Sequence, residues 1–292
     1  MNPKSAIVIR TYNEEAMLGR TLEAIATQGE HAFEVILVDS GSTDHTLEIA
    51  RSFPGVRIIE ISKKEFTYGR ALNIGIAACT PGVEYVVLLS AHAVPCSPQW
   101  LENLLEPLKN DSTIVGVYGK QIPHPEHVNT VVMRYLAREV YPRCYGDKPY
   151  TTNTNIFFSN VNAAIRRSWW DRCPFDEQLH CEDWAWCQKV MLSGGWIAYQ
   201  PEACVLHSHR ESLWAHYLRY RKQAHATFII NPEKNKDAIG HLLTELSDLT
   251  RQYIKLCKTG YWGFRGSHFD RYRVQFVESI ARYRAKKELP NG

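Results

Sequence analysis

The chain has 292 residues, 45% of them hydrophobic, with a net charge of +3 and eight cysteines. That length buries a large core, which excludes a small scaffold dependent on staples. The cysteines show no C-x-x-C spacing, so neither a zinc ribbon nor a thioredoxin-type site is indicated, and reduced thiols of a cytoplasmic protein are the simplest reading.

Two short apolar runs, Ala6–Ile9 and Phe33–Val38, each stop at a polar cluster, with a helix-patterned segment between them. A strand–helix–strand unit of this kind predicts a parallel sheet whose polar strand ends share one edge. Thr11, Asn13 and Glu14 follow the first strand there, and Asp39, Ser40, Gly41 and Ser42 follow the second. Arg10 interrupts the first run, so no secretion signal is expected, and the longest apolar stretch, Tyr85–Leu89, is far too short to cross a bilayer.

A helix is predicted from Ser42, whose hydroxyl caps the first turn, to about Ser52. Val56–Ile61 reads as the third strand, Gly69–Ala78 as a helix ended by Thr80-Pro81-Gly82, and Tyr85–Leu89 as a central strand buried on both faces. Ser97-Pro98 opens the next helix, with Leu101, Leu104, Leu105 and Leu108 as its buried stripe, and Ile114–Tyr118 is another strand. The alternation predicts an α/β fold with a doubly wound, Rossmann-like sheet. The first turn lacks G-x-G-x-x-G and the chain lacks a P-loop, which weighs against a nicotinamide enzyme or an ATPase.

From Gln121 to about Asn155 the alternation lapses into a Pro-, Tyr- and Arg-rich segment, read as a lid with a helix around Val128–Val140. Asn160–Ile165 resumes as a strand, Glu182–Leu192 as a helix closed by Gly194-Gly195, and Trp196–Tyr199 and Ala203–Leu206 as two short strands. A long helix follows, with Leu213, Tyr217, Tyr220, Ala224 and Phe228 on one face, ended by Asn231-Pro232. The remainder is helical in pattern and basic, with ten basic against three acidic residues from residue 251 onward.

Five ordered motifs now stand out: Tyr12-Asn13-Glu14-Glu15, Val38-Asp39-Ser40-Gly41-Ser42-Thr43-Asp44, Gly69-Arg70-Ala71-Leu72-Asn73, Leu88-Leu89-Ser90-Ala91-His92-Ala93, and Glu182-Asp183-Trp184. In this order, over roughly residues 5–225, the chain resembles glycosyltransferase family 2, in the flavour of bacterial surface-polysaccharide transferases including rhamnosyltransferases. The resemblance implies a GT-A fold, a Rossmann-like, mostly parallel sheet flanked by helices with a helical C-terminal appendage. Its domains would be residues 1–230, with a nucleotide-binding half 1–120 and an acceptor-binding half 121–230, and a basic helical region 231–292. The implied reaction is inverting transfer from a nucleotide-sugar donor to a hydroxyl of a saccharide or polyprenyl-linked saccharide, in O-antigen or capsule synthesis at the cytoplasmic face of the inner membrane.

Carried over by position, Thr11, Asn13, Glu14 and Asp39 hold the nucleoside, Arg70 and Asn73 approach the diphosphate, and Ser90 contacts the donor. Asp39 is read as a ligand, although an aspartate there also suits the turn that ends a strand. The family's Asp-x-Asp position reads Ser90-Ala91-His92, so the implied divalent cation would fall to His92 and His207, which suit Mn2+ better than Mg2+. The alternative is that the histidines bind the diphosphate directly or pack structurally. Asp183 is the implied base, with Glu182 orienting the acceptor; the plain alternative is two acids offsetting a helix dipole. The basic, aromatic tail suits an anionic membrane surface, with packing on the domain as the alternative and no nucleic acid expected. A second functional class is a catalytically inactive nucleotide- or carbohydrate-binding protein of the same fold.

Overall fold

The apolar runs of the first ninety residues become strands β1 (Ser5–Thr11), β2 (Phe33–Asp39), β3 (Val56–Glu60) and β4 (Tyr85–Ser90). They pair in parallel in the order β3-β2-β1-β4, with Thr11 opposite Asp39 and Arg10 opposite Ser90. The structure is a computed structural model that describes residues 3–29, 32–128, 130–230, 247 and 267–289. These fall into two compact units, residues 1–122 with 145–208 and residues 123–144 with 209–292, where the sequence pattern predicts boundaries at 120 and 230.

In the first unit, β5 (Val94–Pro95), β6 (Ile114–Ile122), β7 (Tyr150–Thr152), β8 (Asn162–Arg166) and β9 (Trp196–Leu206) extend the sheet. The strand beside β4 is β8, running antiparallel between β4 and β6, and not β6 as strict alternation would have it. β6 and β9 are again parallel, which keeps the sheet mainly parallel. The two strands expected at 196–199 and 203–206 are one, because register shifts against β6 absorb the polar Gln200-Pro201-Glu202 stretch within β9.

Helices α1 (Leu18–Ala26), α2 (Thr46–Arg51) and α4 (Trp100–Asn110) cover one face of this sheet, packing on Ile7, Ile9, Leu37 and Leu89. Helix α3 (Tyr68–Ala77) and the helix Glu182–Leu192 cover the other, against Ala6, Val8, Val38 and Leu88. Two expected caps are corrected. Helix α2 begins only at Thr46, because the Ser42 hydroxyl donates to Asp39 instead of capping, and α4 begins at Trp100 with no side-chain cap from Ser97.

The inserted strand β8 is tied in by one buried amide. Asn162 Nδ2 donates to Lys120 O at 3.1 Å and Ala203 O at 2.8 Å, while its Oδ1 accepts from Trp100 Nε1 at 3.0 Å. One fully buried side chain thus joins β8 to β6, β9 and α4.

The second unit holds a helical run through Val131–Tyr135, a π-helical turn Leu136–Val140 and Tyr141–Cys144, together with helices Leu213–Ile230 and Ser267–Lys287. Ala224 and Phe228 of the second pack on Ala285 of the third, and Val132 and Tyr135 pack on Val274. His216 lies between Glu211 and Glu278, 2.9 Å from each. Burial lowers its proton affinity, but the two carboxylates outweigh that and raise it. Burial likewise works upward on Glu211, and hydrogen bonds from His216 and Arg219 override it to hold the carboxyl down at about 2.

Of the basic tail, Arg251, Lys255, Lys258 and Arg265 lie outside the described residues. Arg271 sits 3.6 Å from Glu139 and Arg282 donates to Tyr220 Oη at 2.8 Å, so part of its charge is engaged within the unit. Among the described residues no helix is long and apolar enough to cross a membrane.

Replacing Asn162 with Ala strands the Trp100 N–H and two strand carbonyls in a dry interior, so a loss of at least about 2 kcal/mol is expected. The urea midpoint measures it, and an unchanged midpoint would mean that β8 is held by its apolar contacts alone.

Candidate active site

The carboxyl ends of β1, β2 and β4 and the segment preceding β8 meet at one edge of the first unit. Asp39 closes β2 and is fully buried. Its Oδ2 accepts from the backbone N–H groups of Gly41 and Ser42, 2.9 Å each, and its Oδ1 from the Ser42 hydroxyl at 2.5 Å. Gly41, with φ of +83°, supplies the left-handed residue that this tight loop requires. The same Ser42 oxygen accepts from Asn13 N at 2.8 Å, and Asn13 Oδ1 accepts from Thr43 N at 2.8 Å. Asp39, Ser42 and Asn13 therefore brace each other across two loops. Beside them, the Thr11 and Ser40 hydroxyls are buried without a hydrogen-bond partner among the described residues.

Glu14 is turned toward the end of β4, where its Oε1 lies 2.8 Å from His92 Nδ1. A carboxylate only accepts, so this nitrogen of His92 carries hydrogen. Ser90 Oγ is 3.3 Å from the same nitrogen. On the far side of the ring, His92 Nε2 faces His207 Nε2 at 3.1 Å, with the two rings stacked 4.9 Å apart. Residues 115 apart in the chain meet because β5 and the end of β9 pair directly, Val94 opposite Leu206.

Arg70 and Asn73 lie on α3. Arg70 is largely exposed, with Glu177 at 3.7 Å. Asn73 is a strut: its Nδ2 donates to Phe175 O and Glu177 Oε1, and its Oδ1 accepts from Trp170 Nε1 and Phe175 N. With both amide groups engaged in tying α3 to residues 170–177, it is not disposed toward a diphosphate.

Glu182 and Asp183 open the helix Glu182–Leu192. Glu182 is 4% exposed and faces the protein. Its Oε1 accepts from Arg10 Nη1 at 2.8 Å and Asn160 Nδ2 at 3.2 Å, so, contrary to the expectation from its motif, it does not orient an acceptor. Arg10 is the charge that interrupts the apolar run of β1; a cation at the end of a central strand must find an anion, and that was the available signal for the pair. Separating a buried pair of this kind costs about 3–5 kcal/mol. No sequence signal marked Asn160.

Asp183, taken as a whole residue, is half-buried. Its Oδ1 accepts from Trp184 N at 2.9 Å and its Oδ2 from Asn160 N at 3.3 Å. Burial, and then the neighbouring Glu182 charge, push its carboxyl up to about 7 against the opposing pull of these N–H groups and Arg10. A carboxylate with that affinity is matched to proton transfer near neutrality.

A mainly parallel sheet lies between helices, with a braced loop pair and Asp183 at the carboxyl ends of its strands, which is an α/β arrangement of the GT-A type. The chain belongs to glycosyl transferase family 2, whose profile matches residues 6–173, and it is a glycosyltransferase. It is 29% identical over 223 residues to the O-antigen chain rhamnosyltransferase RfbN of Salmonella typhimurium, covering 74% of this chain and 70% of the relative. It is 30% identical over 225 residues to the O-antigen chain rhamnosyltransferase WbaN of Salmonella anatum, covering 75% and 70%. Among solved structures it is similar to the mannosyltransferase PcManGT from Pyrobaculum calidifontis in complex with GDP-Man and Mn2+, at a TM-score of 0.67, 18% identity, and coverage of 99% of this chain and 87% of that one. That likeness carries the fold.

The raised Asp183 affinity has a consequence for stability. An aspartate in an unfolded chain ionises near about 3.9, so between about 4 and 7 the folded state holds a proton that the unfolded state has lost, and stability falls as pH rises through that window. Asp183→Asn is therefore expected to raise the melting temperature at pH 8 and to leave it nearly unchanged at pH 4; equal shifts at both would mean that Asp183 is not desolvated.

Proposed function

We propose that this glycosyltransferase moves a deoxyhexose of the rhamnose type from a nucleoside-diphosphate sugar to a hydroxyl of a saccharide carried on a polyprenyl lipid, with inversion, during synthesis of a surface polysaccharide. The observation that carries the reading is Asp183, a half-buried residue at the edge where the strands end, whose carboxyl burial and the neighbouring Glu182 push up to about 7. The two O-antigen rhamnosyltransferase relatives support the sugar and the pathway.

In the proposed reaction the acceptor hydroxyl gives its proton to Asp183 as its oxygen attacks the anomeric carbon. The bond from that carbon to the diphosphate oxygen breaks in the same step, so the new bond forms on the opposite face and no covalent enzyme intermediate arises. Asp39, Thr11 and Asn13 are proposed to hold the nucleoside. The buried Thr11 and Ser40 hydroxyls beside Asp39 support this, since orphaned polar groups in a dry site are costly unless a ligand meets them. Arg70, largely exposed on α3, is proposed to approach the diphosphate.

The donors at the end of β4 fit a transition-type divalent cation. His92 and His207 would hold such an ion through their Nε2 atoms, which converge at 3.1 Å, and Glu14 behind His92 Nδ1 would give the carboxylate support usual for a ligating histidine. When bound, such an ion would neutralise charge developing on the leaving diphosphate. Nitrogen donors favour Mn2+ over Mg2+.

The lipid-linked acceptor brings the protein to a membrane surface in this reading. Support comes from the helix Ser267–Lys287, which exposes Arg273, Phe276 and Arg284 at helical spacing, and from Trp214, 66% exposed and stacked on Tyr217.

A panel of nucleoside-diphosphate sugars, screened first for binding and then for transfer, tests the activity. Asp183→Asn is expected to bind the preferred donor with near-native affinity and to lose at least about a thousandfold in turnover. Chelation is expected to suppress wild-type turnover and Mn2+ to restore it. Undiminished transfer by the variant would remove Asp183 as base, and full turnover in chelator would remove the cation.

Flotation of the full chain with phosphatidylglycerol vesicles at physiological salt checks the membrane reading. Recovery with the vesicles is expected, and recovery with neutral phosphatidylcholine alone, or with neither, contradicts it.

A further inference from the structure

Glu182 and Asp183 are consecutive acids in the first turn of one helix, and the charge on one opposes ionisation of the other. They are not equivalent in their surroundings. Glu182 is buried, with Arg10 Nη1 at 2.8 Å and Asn160 Nδ2 at 3.2 Å on the same Oε1, whereas Asp183 is half-buried and, among the described residues, accepts from backbone N–H groups. Arg10 is itself fixed: its Nη1 also donates to Tyr68 O at 2.9 Å, and its guanidinium lies 5.3 Å over the Tyr68 ring at the start of α3. Asn160 touches both acids, donating its side-chain amide to Glu182 and its backbone N–H to Asp183.

We propose that Arg10 and Asn160 are positioning residues for the transfer reaction, pinning Glu182 as a paired anion that does not react and leaving Asp183 as the one carboxylate that accepts the proton. The inference rests on Asp183 being the base of the proposed reaction.

Three features support the division of roles. Arg10 stands on β1 and Asn160 just ahead of β8, so the helix carrying both acids is held at its first turn from two separate strands. Glu182 accepts only, which fixes the orientation of the Asn160 amide and leaves its Oδ1 buried without a hydrogen-bond partner among the described residues. A residue needed only to fill space would not carry that cost. Finally, among the described residues the charged and titratable groups that act on Asp183 include Glu182 and Cys187 from its own helix and Arg10 from β1. The Cys187 thiol, pushed up to about 12 by burial and then by Asp183, stays neutral at working pH. The balance at Asp183 therefore lies between Glu182, which opposes its ionisation, and Arg10, which favours it.

Carboxyl 13C NMR of the full chain labelled at aspartate reads this balance without any substrate, with the Asp183 resonance assigned by its loss in Asp183→Asn. Glu182→Gln, nearly isosteric, is expected to lower the Asp183 titration midpoint by about one pH unit or more, and Arg10→Met to raise it by a similar amount. Should Arg10→Met not fold, Arg10→Lys keeps the charge but loses the fixed geometry, and its midpoint is expected above wild type. The acid limb of the kcat/KM profile is expected to follow these midpoints, whereas a merely structural role would lower the rate at every pH alike. Midpoints that do not move, in a protein whose Asp183→Asn form is inactive, overturn the positioning proposal and leave the base standing. Full transfer by Asp183→Asn overturns both.

Discussion

A buried carboxylate that stays ionised needs a cation or several donors, and Glu182 finds Arg10, 172 residues away in the chain. The pair constrains much else. It fixes the first turn of the helix Glu182–Leu192 against β1, and through Tyr68 it also sets the start of α3. Both helices lie on the same face of the sheet, so the ion pair locks that layer where the strands end. Asp183, one residue on, is thereby held at the sheet edge.

The rest of that edge uses the same economy of means, with side chains that serve the loops before any ligand arrives. Asp39 organises its own turn, Ser42 joins it to Asn13, and Glu14 orients His92. Such cross-bracing makes a prearranged site, in which few groups need to move when a donor binds. It also explains why the second imidazole comes from β9: the short β5 strand returns the chain beside it directly after His92.

The strand–helix rhythm and the motif positions were legible in the sequence because both are local. Periodicity located β1 to β4 and α3 to within a residue or two, and the acids at 182 and 183 stand at the helix start where they were expected. Partnerships were not legible. Nothing near Glu182 in sequence points to Arg10, 172 residues away, and nothing near Asn162 announces that it will join four elements. Ser42 and Ser97 have the residue type of helix caps, yet the hydroxyl of Ser42 has a stronger bond available at the Asp39 carboxylate, and α4 starts later than Ser97. The insertion of β8 beside β4 escaped local pattern for the same reason. Strand order is decided by long-range packing, which short windows do not contain.

In the proposed reaction this sheet edge works as one continuous sugar-transfer site, with the nucleoside over β1 and β2 and the reacting carbon before Asp183. A crystal structure of the full chain with its preferred nucleoside-diphosphate sugar and Mn2+ measures it most directly. The base and ribose are expected against Asp39 and Thr11, the diphosphate beside His92 and His207, and the anomeric carbon open on the side from which Asp183 reaches an acceptor hydroxyl. A nucleotide bound elsewhere, or a sugar whose open face points away from Asp183, would contradict it.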